Sequence, residues 1–182
     1  MNRNAVVRYT LIFCLLFLTA CSSLMPKTDQ QQWRIEGKIG VTTPDESLTG
    51  FLVWEQRADN YLINVSGPLG QGSTQIQGNS QQITLVQGKE KVHSTNPEQL
   101  IYKQMGWNFP INNLKYWIIG KAAPYSESTS QYDDDRLSEL LQDNWKVEYF
   151  RYDNYSGLPS RLRISQGNWK FTLIIKRWSS AG

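Results

Sequence analysis

Histidine and cysteine are scarce in this chain of 182 residues, which contains one histidine, His93, and two cysteines, Cys14 and Cys21. A Ser-His-Asp or Cys-His catalytic site would therefore have to be built around a single histidine. His93 lies in the polar segment KVHST, and we interpret it as a surface residue. The sequence gives no positive sign of an enzyme, and we predict no catalytic residue.

The usual signatures of metal, phosphate and nucleic-acid sites are also missing. Residues 133–135 are three consecutive aspartates, whereas a calcium loop needs alternating ligands, so we interpret them as a solvated turn. The glycines within residues 67–72 precede no Lys-Ser/Thr pair, which a phosphate-binding loop would require. The formal charge is only +3, without a basic cluster. We therefore predict no metal, no cofactor and no nucleic-acid partner.

The longest hydrophobic run, residues 9–20, is too short to cross a bilayer, which takes about 20 residues. It follows Arg3 and Arg8 and has the length of the apolar core of a secretory signal peptide. The run ends in LTAC, which resembles the bacterial lipobox, whose cysteine is acylated and becomes the first mature residue. We predict a signal peptide over residues 1–20 and acylation of Cys21. The alternative is an ordinary thiol at Cys21 beside a conventional cleavage site.

The polar stretch after the signal predicts how the mature chain is attached. Residues 21–32 are interpreted as a lipidated N-terminus with a short tether, and residues 33–182 as a single domain. Ser22 follows Cys21 where similar lipoproteins carry Asp as a signal for inner-membrane retention, so we expect sorting to the outer membrane.

Aromatic residues are plentiful, at 12% of the chain with seven tryptophans, and apolar residues alternate with polar ones over long stretches. From Trp33 to Val41 every second residue is apolar or glycine, which predicts a half-buried strand. Residues 136–142 fit a helix or a strand equally well. Further strands are predicted at residues 49–56, 61–66, 73–78, 81–87, 89–93, 145–152, 161–166 and 169–177.

Between the two blocks of strands the apolar spacing changes to that of helices. Thr95 or Asn96 can cap a helix that has Pro97 in its first turn and ends at Gly106. A second helix is predicted at about residues 112–119, with Gly120 at its end. The layout predicts one long antiparallel sheet with helical segments after its first half, as an α+β fold or a curved β-barrel.

Two features suit a protein that handles lipid, and each has a simpler interpretation. Leu69 lies in the glycine- and proline-rich loop between Ser66 and Gly72, where it could dip into a membrane, fold back over the barrel end or simply be exposed. The tryptophans could fill an ordinary core or line a cavity for acyl chains. The residues alone leave both choices open.

Taken together, the motifs of the chain resemble those of the LolB family of outer-membrane lipoproteins. The two most specific are the loop SGPLGQG at residues 66–72 and the segment LKYWIIG at residues 114–120. The other matching pieces are the lipobox at 18–21, GKIGV at 37–41, the stretch from Gly50 to Glu55, Pro124, QDNWKVEY at 142–149, LPSRL at 158–162 and Trp178.

The resemblance implies a mainly β fold: an open, strongly curved antiparallel β-barrel with a helical lid that encloses an apolar cavity. It also implies a membrane-insertion loop in which Leu69 is flanked by Pro68 and Gly70. As residues that contact acyl chains in the cavity we name Trp54, Trp117, Leu114, Ile118 and Leu100.

The implied function is that of a monomeric receptor, anchored through Cys21 at the periplasmic face of the outer membrane. It would accept lipoproteins from a periplasmic carrier chaperone similar to LolA, hold their acyl chains and insert them in that membrane. The alternatives are an assembly lipoprotein that acts as a protein-binding scaffold, and a periplasmic hydrolase that depends on His93.

Overall fold

The computed structural model describes residues 32–68 and 72–181 of the chain. These residues form eleven strands and two α-helices, α1 (Pro97–Met105) and α2 (Ile111–Trp117). The strands are β1 (Gln32–Thr42), β2 (Ser47–Arg57), β3 (Asn60–Ser66), β4 (Thr74–Gly78), β5 (Ile83–Gln87), β6 (Glu90–Ser94), β7 (Ser128–Asp133), β8 (Arg136–Gln142), β9 (Trp145–Tyr152), β10 (Pro159–Gln166) and β11 (Trp169–Ser179).

All eleven strands belong to one antiparallel sheet with the order β6-β5-β4-β3-β2-β1-β11-β10-β9-β8-β7. Each half of the chain forms a meander of neighbouring strands, and the two meanders join where β1 pairs with β11. The sheet is open and strongly curved, with β6 and β7 at its two ends. This architecture confirms the predicted fold class.

The curvature gives the sheet an apolar inner face and a polar outer face. In β1 the predicted alternation is confirmed: Trp33, Ile35, Ile39 and Val41 are buried on the inner face. Gly37 interrupts this row at a bulge against β11, where a Cβ atom would lie 2.1 Å from the carbonyl oxygen of Ile174. Only glycine therefore permits this close approach between the two central strands.

The two helices lie in the chain between the edge strands β6 and β7, and they pack on the inner face of the sheet. Of the two predicted caps of helix α1, Thr95 and Asn96, the structure has Asn96, whose side chain accepts a hydrogen bond from the Gln99 amide at 3.1 Å. It ends at Gly106, whose φ of 69° is the left-handed value that favours glycine. No helix in the described part of the chain is long and apolar enough to span a membrane.

Most of the predicted elements are present, and one strand was missed. Strand β7, with the sequence STSQYD, is exposed at all six positions and therefore lacks the alternating apolar residues that predicted the other strands. Residues 136–142 form strand β8, which settles the choice between helix and strand. Of the three aspartates predicted to form a turn, Asp134 and Asp135 lie in the exposed turn between β7 and β8 with φ of 47° and 60°, whereas Asp133 is the last residue of β7.

Candidate functional site at the mouth of the barrel

An open cavity of about 340 Å³ lies at the end of the barrel where the β1–β2 hairpin projects, and we call this end the mouth. The cavity opens between the inner face of the sheet and the C-terminal end of α1. Its polar lining includes Glu46, Thr74 and Gln104. The apolar side chains in its wall are Ile39, Val41, Leu48, Val65, Pro68, Met105 and Trp107.

Strand alternation and one helix cap bring these apolar side chains together. Val41 and Leu48 are paired across the β1–β2 hairpin, so both point to the inner face. The left-handed Gly106 redirects the chain after α1, and Trp107 follows it as a buried residue of the cavity wall. Leu48 is 43% exposed and thus presents an apolar surface at the opening.

The mouth is open because β2 is longer than β3, its neighbour in the sheet. The last pair between β2 and β3 is Phe51 with Ser66, so the first four residues of β2 have no partner in β3. At Gly50, a Cβ atom would lie 2.7 Å from the Ser66 carbonyl oxygen, and glycine allows the chain after Ser66 to turn away closely. The loop that leaves β3 here forms the rim of the cavity, through Pro68 and Gly72.

The predicted membrane-insertion loop lies on this rim, but its tip falls outside the described residues. Pro68 is part of the cavity wall, whereas Leu69 and Gly70 belong to the part of the loop that the structure does not describe. Cys21, the predicted lipidation site, also lies outside the described residues. The roles of these residues stay predictions.

The five predicted acyl-contact residues lie in the packed core and not in the wall of the open cavity. Trp54 is 1% exposed, and its indole nitrogen donates a hydrogen bond to Gln56 Oε1 at 3.0 Å. Leu100 of α1 and Leu114, Trp117 and Ile118 of the α2 region are buried against the sheet. Contact of these five residues with acyl chains stays a prediction.

The two helices are attached to the sheet in different ways. Helix α2 is held by polar contacts: Trp117 Nε1 donates to Gln142 Oε1 at 2.8 Å, and Tyr149 donates to the Trp117 carbonyl at 2.9 Å. Lys115 Nζ lies 2.5 Å from Asp59 Oδ1 in the turn between β2 and β3. For α1, the contact with the inner face is made by the apolar side chains Leu100 and Ile101.

The Lys115–Asp59 pair has an electrostatic signature. Partial burial raises the pKa of the Asp59 carboxyl, but hydrogen bonds from Lys115 and Ser80 outweigh this effect and leave the pKa below its usual value. The Lys115 side chain is only 11% exposed, so the carboxylate is its charge partner in a largely dry position. Helix α2 therefore has a charged as well as a hydrogen-bonded attachment.

Sequence reasoning did not identify most of the cavity wall. Leu48 was part of no predicted site and lies just before the strand predicted at residues 49–56. Trp107 was considered only as one of the tryptophans that could fill a core or line a cavity. The difference in length between β2 and β3 could have identified Leu48, since β3 cannot cover residues of β2 that extend beyond its end. His93 is exposed on β6, with its Nδ1 2.8 Å from Thr84 Oγ1, as predicted for a surface histidine.

The fold defines the class: one open, strongly curved antiparallel sheet with two helices on its inner face. The structure matches a LolA superfamily protein from Nitrosomonas europaea with a TM-score of 0.55 at 10% identity, over 84% of this chain and 87% of that one. A DUF1329 family protein from Desulfovibrio piger also gives 0.55 at 9% identity, over 82% and 85% of the two chains. These two similarities concern the fold alone.

Within this class, the chain belongs to the outer membrane lipoprotein LolB family, whose family model matches residues 31–178. The outer-membrane lipoprotein LolB of Stutzerimonas stutzeri is 41% identical over 150 residues, which cover 80% of this chain and 73% of that protein. The LolB of Pseudomonas syringae pv. syringae is 36% identical over 196 aligned positions, covering 94% and 96%. The predicted family is thus confirmed, and its name describes a lipoprotein and no catalytic activity.

Proposed function

We propose that the protein is an outer-membrane receptor that takes lipoproteins from a LolA-like periplasmic carrier and inserts them in the outer membrane. The observation that carries this proposal is the apolar cavity at the mouth, which opens to solvent beside the loop that contains Leu69. Membership of the LolB family supports the same function, because relatives in it are named outer-membrane lipoproteins.

A carrier is needed because acyl chains do not cross water by themselves. Each methylene that leaves an apolar environment costs about 0.8 kcal/mol, so a triacylated lipoprotein stays bound unless another apolar site receives it. The mouth cavity provides such a site without a catalytic step. A difference in affinity of about 1.4 kcal/mol between carrier and receptor already favours transfer tenfold, so no nucleotide is required.

The size of the cavity implies that the lid moves when cargo enters. At about 340 Å³ it is at the small end of pockets that hold a single small ligand, whereas a lipoprotein brings several acyl chains. We propose that α1 moves away from the inner face, since its contact with that face is apolar, while α2 stays attached. This motion would expose Leu100 and the core beneath α1 to the acyl chains, while contact of the acyl chains with Trp54, Leu114, Trp117 and Ile118 stays a prediction.

In the last step, the loop and the anchor act at the membrane. Cys21, acylated, holds the receptor at the periplasmic face of the outer membrane, and Leu69, between Pro68 and Gly70, enters the bilayer beside the cavity. The described rim residues Pro68 and Gly72 support this role, because only three residues separate them and both line the opening.

A transfer assay with a partly filled cavity tests the proposal. A carrier loaded with a labelled lipoprotein is mixed with the receptor, without ATP, and the label on the receptor is measured. In the Val65→Phe variant the larger ring displaces on the order of two methylenes from the cavity, so we expect uptake to fall about tenfold. The matched control is Val53→Phe, which changes an equally half-buried valine on the outer face of β2.

A receptor and a scaffold predict different results for the two variants. Val53→Phe is expected to accept cargo like the wild type. If wild-type protein takes up no label, or if Val65→Phe takes up as much as the wild type, acyl binding in this cavity is wrong. A protein-binding scaffold with a filled core would then explain the fold better.

A further inference from the structure

A second apolar recess, of about 420 Å³, lies on the outer face of the sheet next to the mouth. It lies over the three central strands, β2, β1 and β11, on the side opposite to the cavity. Its wall includes Gly40, Thr49, Phe51, Pro68, Thr172 and Ile174. Phe51 and Ile174 are 48% and 40% exposed, so two large apolar side chains present their surface to solvent in one recess.

The rest of this outer face carries ion pairs. Towards the far end of the same strands, Arg34 pairs with Glu55 and Arg177 pairs with Glu36. Farther along the sheet, Lys146 lies 2.7 Å from Glu139. No acidic residue belongs to the described wall of the recess. Its one charged group is Lys38, whose Nζ lies 5.9 Å from the centre of the Phe51 ring, and a lone cation beside apolar side chains suits a phospholipid surface.

The recess is continuous with the mouth. Ile39, Thr49, Gly50 and Pro68 belong to the walls of both the inner cavity and the outer recess. The inner cavity and the outer recess meet here because residues 47–50 of β2 have no partner in β3. Apolar surface therefore extends from the inner cavity, past the base of the loop that contains Leu69, onto the outer face.

We propose that this outer recess is a membrane-contact surface that accepts acyl chains of outer-membrane phospholipids while cargo is released. The proposal rests on the proposed function, in which the neighbouring loop enters the bilayer. The predicted anchor is long enough for this orientation. The ten residues between Cys21 and Gln32 let these two positions lie up to about 36 Å apart, whereas Gly40, at the recess, lies about 26 Å along β1 from Gln32.

Site-specific labels on the full-length, membrane-anchored protein test this surface. Under the proposed function Cys14 is removed and Cys21 is acylated, so an introduced cysteine is the only free thiol. A fluorophore is attached to Phe51→Cys or Ile174→Cys, and the protein is placed in phosphatidylethanolamine and phosphatidylglycerol vesicles that contain nitroxide lipids. Leu69→Cys is the reference. The matched control is Phe150→Cys, a 45% exposed phenylalanine on the outer face of β9, between Arg161 and Arg163.

We expect the nitroxide lipids to quench the labels at positions 51 and 174 as strongly as the label at position 69, and to leave the label at position 150 unquenched. The proposal is overturned if position 69 is quenched while positions 51 and 174 are not, or if position 150 is quenched equally. If no label is quenched, including that at position 69, both hypotheses are wrong: the loop does not insert in the membrane, and the outer recess does not contact it.

A second measurement separates bilayer lipid from cargo as the occupant. The double variant Phe51→Ser, Ile174→Ser removes the two exposed apolar side chains of the recess, and its unfolding free energy is measured beside that of the wild type. We expect normal uptake from the carrier and a several-fold slower incorporation of cargo into vesicles. Loss of uptake with unchanged stability would instead place cargo acyl chains in the recess and overturn the proposal.

Discussion

Leu69 is the residue on which membrane insertion depends in the proposed function. Burial of a leucine side chain in lipid contributes about 1.5–3 kcal/mol. The variant Leu69→Glu puts a carboxylate in its place, so cargo incorporation should fall at least about tenfold. Uptake from the carrier should be unchanged, because the cavity wall is intact. Both steps are measured with labelled lipoprotein and vesicles. Leu141→Glu, a change at a 42% exposed leucine on β8, is the control, and equal incorporation by both variants would remove Leu69 from the mechanism.

Asp59 gives the stability of the protein a predictable dependence on pH. Its pKa is lower in the folded protein than in the unfolded chain, so the ionised carboxylate stabilises the fold above the unfolded value of about 4. This contribution is lost as the pH falls through the folded pKa. We expect the unfolding free energy of Asp59→Asn to decrease less than that of the wild type on acidification below about pH 4. Denaturant titrations at several pH values measure this, with Asp133→Asn at the exposed end of β7 as the comparison. Parallel curves for wild type and Asp59→Asn would contradict it.

Among the elements, the two helices should differ in local stability. Helix α2 is fixed by Gln142, Tyr149 and the Lys115–Asp59 pair, whereas α1 meets the inner face through Leu100 and Ile101. Local opening of α1 breaks fewer buried polar contacts, so its amides should exchange with solvent faster than those of α2. Hydrogen exchange followed by mass spectrometry or NMR measures both helices in one experiment. Equal protection of the two helices would argue against α1 as the moving part of the lid.

The elements also show what could be predicted from sequence. Alternation in β1 and the capping residues of α1 are local patterns, and both elements form where these patterns placed them. Strand β7 was missed because its pairing with β8 is not accompanied by burial of its side chains. For the site, alternation identifies which face a residue occupies but not whether a neighbouring strand covers it. Trp54 and Leu48 share the inner face of β2, yet Trp54 is buried in the core and Leu48 lies at the mouth, beyond the end of β3.

At the scale of the whole molecule, binding of cargo and attachment to the membrane should be separable. The cavity is formed within the described residues, and the predicted anchor, Cys21, lies outside them. We therefore expect Cys21→Ser to leave acyl uptake from the carrier unchanged while the protein is lost from the outer-membrane fraction. Membrane fractionation and the transfer assay measure the two properties. Retention of the variant in the outer membrane would show that acylation of Cys21 is not the anchor.

The pairing of β1 with β11 also fixes the order in which the sheet can be completed. Among the described strands β1 is synthesised first. Strand β2 follows it and covers one of its edges, but its other edge is covered only by β11, the last of these strands. Pairs between such distant segments form slowly, and until they form, the bare edge of β1 can join the strand of another molecule. The centre of this sheet is thus its last part to close, and loss of the C-terminal strand would open the barrel in the middle, where its two halves meet.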